Sequence, residues 1–88
     1  MFTAEQEQQL SAWGCPDVYP PPLDPAPRQP HDVLAWLGGF SWALVVGDDI
    51  ITGKRFWYCC AHGAGIRTST YPDPHSAAYA LAEAVMRT

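Results

Sequence analysis

Apolar residues recur along this chain with two different periods, and each period predicts a type of element. Between residues 40 and 46 they recur at every second position, which is typical of a strand. Between residues 74 and 87 they recur every three or four positions, as on one face of a helix. We therefore expect an α+β fold, in which a three-stranded antiparallel sheet is packed by a C-terminal helix.

Three apolar runs predict the strands, and each is followed by residues that favour turns. The runs are Phe40–Val46, Arg55–His62 and Ile66–Tyr71. Because successive strand residues point to opposite faces, Trp57 and Tyr58 show that the second strand is apolar on both faces. One helix covers one sheet face. Either the N-terminal part of the chain covers the second face, or aromatic surface stays exposed there.

Two short helices joined by a proline-rich strap are predicted before the sheet. Thr3 and Gln6 match a capping box, and Gly14 matches a helix stop, so the first helix should lie between them. Seven prolines within residues 15–30 exclude a helix or a central strand and favour an extended strap. The layout predicted is a single domain, 1–88, with helices at 4–13, 31–37 and 74–87, the strap at 15–30 and the sheet at 40–71.

Charge and cysteine content narrow the kinds of partner. The net charge is −4 and the five basic residues are scattered, whereas nucleic-acid binding needs clustered Lys and Arg. The chain has no apolar run long enough to cross a membrane, and its polar, acidic start does not match a signal peptide. Three cysteines, an odd number, fit a reducing compartment. We expect a cytoplasmic protein that binds neither nucleic acid directly nor a membrane.

Candidate chemical groups do not assemble into a known type of catalytic site. Cys60 and His62 share a face of the predicted second strand, but a nucleophile pair also needs an orienting group and an oxyanion hole. Adding His75 gives three possible metal ligands, yet their spacing is not that of a standard zinc site and a fourth ligand is missing. We therefore expect no catalytic residue, no metal and no cofactor, and so no enzyme.

The aromatic sheet is the strongest functional signal in the sequence. An exposed aromatic face marks a protein–protein interaction site in many proteins. The alternative is a small structural or self-assembling protein that forms a homodimer through the same sheet. The residues predicted to anchor a partner are Trp42, Trp57, Tyr58, Arg67 and Tyr71.

The closing segment, Thr70–Ala78 followed by an alanine-rich helix, resembles the ends of many short phage and prophage proteins. In size, acidity and layout, residues 40–87 are similar to anti-CRISPR proteins, which belong to that group. The resemblance implies a non-enzymatic inhibitor that binds a host complex, such as a CRISPR effector, in the bacterial cytoplasm and occludes it. Some anti-CRISPR proteins present carboxylates that mimic DNA. Asp48 and Asp49 therefore join the predicted contacts, although the carboxylates here are too scattered to favour mimicry as the main mode.

The order of elements also resembles the double-stranded RNA-binding domain. That domain holds phosphates with a basic cluster on its final helix. The final helix of this chain has Arg87 alone near its end, so the resemblance does not extend to RNA binding.

Overall fold

The structure, a computed structural model, describes residues 1–16, 28–38, 42–61 and 65–87. The predicted α+β fold is confirmed, since an antiparallel three-stranded sheet is packed on one face by the C-terminal helix. Most of the strap predicted at 15–30 lies outside the described residues, as do Phe40, Ser41 and His62. The elements are α1 (Ala4–Ala12), α2 (Pro30–Trp36), β1 (Trp42–Asp48), β2 (Arg55–Ala61), β3 (Ile66–Arg67) and α3 (Pro74–Arg87).

Local sequence signals set the ends of α1. The Thr3 hydroxyl accepts the Gln6 backbone N–H at 3.1 Å, and the Gln6 side chain accepts the Thr3 N–H at 2.9 Å, which confirms the capping box. Gly14 follows the helix with a φ of 99°, a left-handed conformation that side chains disfavour. Short-range hydrogen bonds therefore set where this helix begins and ends.

The sheet has the strand order β1-β2-β3, and its third strand is shorter than the sequence predicts. Regular pairing ends at Arg67, opposite Cys60. The next residue, Thr68, accepts the Cys59 N–H on its hydroxyl and donates its own N–H to the Cys59 carbonyl, both at 2.9 Å. Pairing returns at Tyr71, opposite Trp57. The prediction of a continuous strand Ile66–Tyr71 was wrong. This stretch of chain, which we call the third segment, has one residue more between Arg67 and Tyr71 than β2 has between Trp57 and Cys60, so it forms a bulge.

The core lies between the inner face of the sheet and α3. Cys59 on β2 and Leu81 on α3 are fully buried, together with Leu10 of α1 and Val33 of α2. Small residues of α3, such as the buried Ala78, let this helix approach the sheet closely. The two N-terminal helices pack on the same side as α3 and contribute to this one core. They do not cover the second face of the sheet.

A buried arginine that no sequence pattern indicates anchors the chain after α1. Arg28 is 3% exposed. Its guanidinium donates to the carboxylate of Glu7, to the hydroxyl of Ser11 at 2.9 Å and to the carbonyls of Cys15 and Pro16 at 3.0 and 3.2 Å. Carbonyls beyond a helix end need such donors when they are buried. Arg28 therefore joins the end of α1 to the segment that enters α2.

Candidate functional site

The strand register divides the sheet side chains between two faces. Leu44 lies opposite Cys59, whose side chain points into the core, so the alternate residues point away from α3. Cys60 lies opposite Arg67, which places Arg67 on that second face. We call it the outer face; its described residues are Ala43, Val45, Gly47, Phe56, Tyr58, Cys60 and Arg67.

Three side chains form a continuous row on the outer face, which we call the aromatic row: Phe56, Tyr58 and Arg67. The Phe56 and Tyr58 rings stack with their centroids 6.5 Å apart and their planes 19° apart. The Arg67 guanidinium lies 4.6 Å from the centroid of the Tyr58 ring, within cation–π distance. Both rings are half-buried and Arg67 is exposed. The row is thus ordered by its own contacts, and its Arg67 end is exposed.

A glycine on the neighbouring strand makes room for this row. Gly47 pairs with Phe56 across β1 and β2. A Cβ atom on Gly47 would lie 2.5 Å from Cζ of the Phe56 ring, which is closer than atoms pack. The tip of the Phe56 ring therefore occupies space that only a glycine at position 47 leaves open. This packing fixes where the aromatic row begins.

The structure separates the sequence-predicted contacts into three groups. Tyr58 and Arg67 meet in the aromatic row. Trp57 and Tyr71 instead pair through their backbones, with both hydrogen bonds at 2.8 Å, and their side chains pack against the core. Trp42 belongs to β1, but its side chain lies outside what the structure describes. The large aromatic anchors therefore do not form one surface.

The two predicted carboxylates lie at the far end of the β1–β2 hairpin. Asp48 forms an exposed ion pair with Arg55 at 3.1 Å. Asp49 accepts the N–H groups of Ile51 and Thr52 at 2.8 and 3.3 Å, which is how an Asp stabilises a tight turn. Both carboxylates therefore have a local structural role, and neither touches the aromatic row.

An open groove of about 340 Å³ lies at the opposite edge of the sheet, between the third segment and α3. Its lining combines polar and apolar groups in equal measure and includes the ion pair of Glu83 with Arg87 at 2.6 Å. Hydroxyl groups dominate the rest of the wall, from Thr68, Ser69, Tyr71, Ser76 and Tyr79. Within the described ranges, no three His, Cys, Asp or Glu side chains come together as a metal site.

Two of the three residues considered as metal ligands, Cys60 and His75, are described, and they lie on opposite sides of the sheet. Cys60 is on the outer face, whereas His75 begins α3 on the inner side, in edge-to-face contact with Phe2 at 5.0 Å. Burial lowers the pKa of His75 below 6.5, and the positive N-terminal amine adds to this, while Asp73 acts in the opposite direction. His75 is therefore held neutral in a packed environment. The third candidate, His62, falls outside the described residues.

Burial and hydrogen bonds perturb two more groups near the core. Burial raises the pKa of the Cys59 thiol to about 11, and the neighbouring Cys60 adds to this, so Cys59 is a poor nucleophile at neutral pH. Asp73 caps α3 by accepting the backbone N–H of Ser76 at 2.8 Å and its hydroxyl at 2.9 Å. Burial alone would raise the pKa of Asp73, but these hydrogen bonds outweigh it and the net shift is downward.

Sequence reasoning missed Phe56 and Gly47 as members of the site. A signal for Phe56 exists, since it lies two residues before Tyr58 and so shares its face. The role of Gly47 depends on the exact pairing of β1 with β2, which apolar periodicity does not fix.

Comparison with known protein families, with curated proteins and with solved structures found no match. Among the helices described, none combines the length and apolar character that a membrane span requires.

Proposed function

We propose that this chain is a protein-binding inhibitor that acts by covering a surface its partner needs, and that the aromatic row is its contact. The observation that carries this proposal is the ordered row of Phe56, Tyr58 and Arg67 on a sheet face that α1, α2 and α3 leave uncovered. Tyr and Arg are among the residues most often responsible for binding energy at protein interfaces. A sheet face also supports them rigidly, so little entropy is lost on binding.

The charge of the chain favours a protein partner over a nucleic acid. Aromatic rings with an arginine can also stack bases, but such platforms are combined with a positively charged groove. Here the net charge is −4, and the exposed basic residues near the row are few. A protein surface with basic or polar groups suits the domain better.

The finer proposal concerns the identity of the partner. The resemblance of residues 40–87 to anti-CRISPR proteins supports a CRISPR effector or another host nuclease complex, blocked without any chemical step. This predicts that inhibition saturates near one copy of the chain per complex. Catalytic turnover would not show such a limit.

The test uses purified CRISPR effector complexes and their cleavage of target DNA. Increasing amounts of the chain should abolish cleavage near a 1:1 ratio. Arg67→Ala and Tyr58→Ala should each weaken binding by about thirtyfold, which corresponds to about 2 kcal/mol at an interface hot spot. Arg55→Ala is the matched control, because Arg55 is an exposed arginine of the same sheet that contacts Asp48 instead of the row. It should change binding less than threefold (about 0.6 kcal/mol).

Each outcome bears on a separate part of the proposal. If no effector is bound or inhibited, the CRISPR partner is wrong. If an effector is bound but Arg67→Ala behaves like Arg55→Ala, the aromatic row is not the contact. Salt-sensitive binding of a fluorescent single-stranded oligonucleotide to the isolated chain would move the function to nucleic acid. Self-association through the aromatic row, abolished by Arg67→Ala and found without any partner complex, would support the alternative of a small self-assembling protein.

A further inference from the structure

The two edges of the sheet are built in opposite ways. The β3 edge has two paired residues, a bulge and a threonine side chain that replaces a backbone group, all of which discourage pairing with another strand. The β1 edge is seven residues long, Trp42–Asp48, and contains no proline, no lysine and no charge before its last residue. Natural proteins seldom leave such an edge unpaired.

The hydrogen-bond pattern shows which β1 groups point away from the sheet. Asp49 donates its N–H to the Lys54 carbonyl at 2.8 Å, so alternate pairs along the hairpin bond to each other. On the other side of β2, Trp57 donates its N–H to the Tyr71 carbonyl and accepts the Tyr71 N–H on its own carbonyl, which agrees with this alternation. Leu44 and Val46 therefore direct their N–H and carbonyl groups outward, where no described residue accepts or donates to them.

Exposed apolar side chains lie along the same edge and at its end. Val46 is 54% exposed although it points to the inner face. Ile50 and Ile51, in the turn that follows β1, are 98% and 95% exposed. Burial of an isoleucine side chain is favourable, and these side chains remain exposed to water in the isolated chain.

We propose that two copies of this chain pair antiparallel along β1 to form a six-stranded sheet. In the register centred on Val45, all seven residues of β1 pair with the same seven residues of the second copy. Leu44 then exchanges backbone hydrogen bonds with the partner subunit's Val46, and the reverse pair forms by symmetry. Both residues direct these groups outward already, so the strand is complementary to itself.

Charge and position favour a second copy as the occupant. Antiparallel pairing puts Asp48, the charged end of β1, at opposite ends of the new ladder, whereas parallel pairing would place two carboxylates side by side. The second copy thus covers the unpaired backbone groups of β1 and places the exposed Val46 beside the partner subunit's Leu44.

The first test measures self-association of the isolated chain by sedimentation equilibrium from micromolar to millimolar concentration. Val46→Lys places a natural edge-blocking residue at the interface and should lower the association constant by about tenfold or more. Met86→Lys, at another exposed apolar residue, is the control with the same change in net charge. It should dimerise as the wild type does. Association should strengthen with added salt, because each copy carries −4.

The second test reads the register directly through disulfide formation. The register places Val45 opposite the partner subunit's Val45 in a pair without hydrogen bonds, with Cα atoms about 4.5 Å apart, a distance that a disulfide can span. Val45→Cys in a Cys60→Ser background should therefore give a covalent dimer on mild oxidation. Ser69→Cys in the same background, on the opposite edge, should not.

The two tests together decide the proposal, and neither involves an effector complex. A monomer at every concentration overturns it, as does a dimer that Val46→Lys leaves intact. Equal cross-linking of Val45→Cys and Ser69→Cys overturns the register. Because only the isolated chain is used, failure here leaves the proposed inhibition untouched, and the reverse holds too.

Discussion

Replacing Arg28 with methionine should destabilise this domain more than any change to a surface charge. Methionine keeps much of the length of the arginine stem but has no hydrogen-bond donor. The change leaves the Glu7 carboxylate without its cation, and it removes the donor from the carbonyls of Cys15 and Pro16. The Glu7 carboxylate and the two carbonyls all contact the same guanidinium near the end of α1, so the substitution removes several hydrogen bonds from one region of the domain.

The expected size follows from how deeply these groups are buried. Breaking a buried ion pair costs about 3–5 kcal/mol, and a buried polar group without a partner costs about 1–3 kcal/mol. The Glu7 side chain is 32% exposed, and water can reach part of it, so we take the lower end and expect about 3 kcal/mol. A domain of 88 residues has a free energy of unfolding of about 4–13 kcal/mol. The midpoint of thermal unfolding should fall by about 12–24 °C.

The assay is urea unfolding followed by tryptophan fluorescence, with the slope and the midpoint fitted together. Arg28→Lys should be intermediate, because an ammonium retains the charge but cannot reproduce the five donors of the planar guanidinium. Arg55→Ala is the control: Arg55 and its partner Asp48 are both exposed, so its loss should cost less than about 0.5 kcal/mol.

A result in which Arg28→Met and Arg55→Ala unfold at the same urea concentration would refute the reasoning. It would mean that the guanidinium is hydrated and that the contacts at the end of α1 are not formed. A change in slope without a change in midpoint would also count against it, since the predicted effect is on the native state.

The remaining predictions concern Gly47, His75 and the adjacent cysteines. Gly47→Ala should push the Phe56 ring aside and lower the free energy of unfolding by about 1 kcal/mol. The near-ultraviolet circular dichroism spectrum should change as the ring moves, and an unchanged spectrum would contradict the contact between Gly47 and Phe56. Folding lowers the pKa of His75, so the unfolded chain binds the proton more tightly and stability should fall as pH drops below 6.5. His75→Gln should flatten this slope in urea midpoints, and equal slopes would exclude His75 as its source. Cys60 should react with a thiol reagent in the native protein, whereas Cys59, with a pKa of about 11, should react only on unfolding. In the Cys60→Ser variant, rapid labelling of Cys59 under native conditions would contradict its burial.

Features that depend on neighbouring residues were predictable from the sequence. The capping box at Thr3, the stop at Gly14 and the start of α3 at Pro74 lie where the sequence places them. Each is decided by contacts within about four residues, so no knowledge of the fold is needed. The first strand was predictable for a related reason, since alternation along a strand records which face is covered.

Features that depend on distant residues were not predictable. The contact of Arg28 with Glu7 joins segments 21 residues apart across a stretch of prolines, and nothing local indicates it. The third strand failed for another reason. Its residues have ordinary strand propensity, but Thr68 places a hydroxyl where the ladder expects a backbone group. A side chain that competes with the backbone leaves no trace in apolar periodicity.

The candidate site shows the same division within a single surface. Tyr58 and Arg67 were predicted individually, yet their contact depends on the β2–β3 register, which sets Arg67 diagonally across from Tyr58. Their neighbour Phe56 depends on a glycine of the other strand. Trp57 was predicted with them but points the other way, because adjacent residues of a strand never share a face. Residue type therefore indicates which side chains are candidates for a binding site, while the register determines which of them lie together. In this chain the register leaves Phe56, Tyr58 and Arg67 outside the core, so these residues can be altered with little effect on the packing of α3 against the sheet.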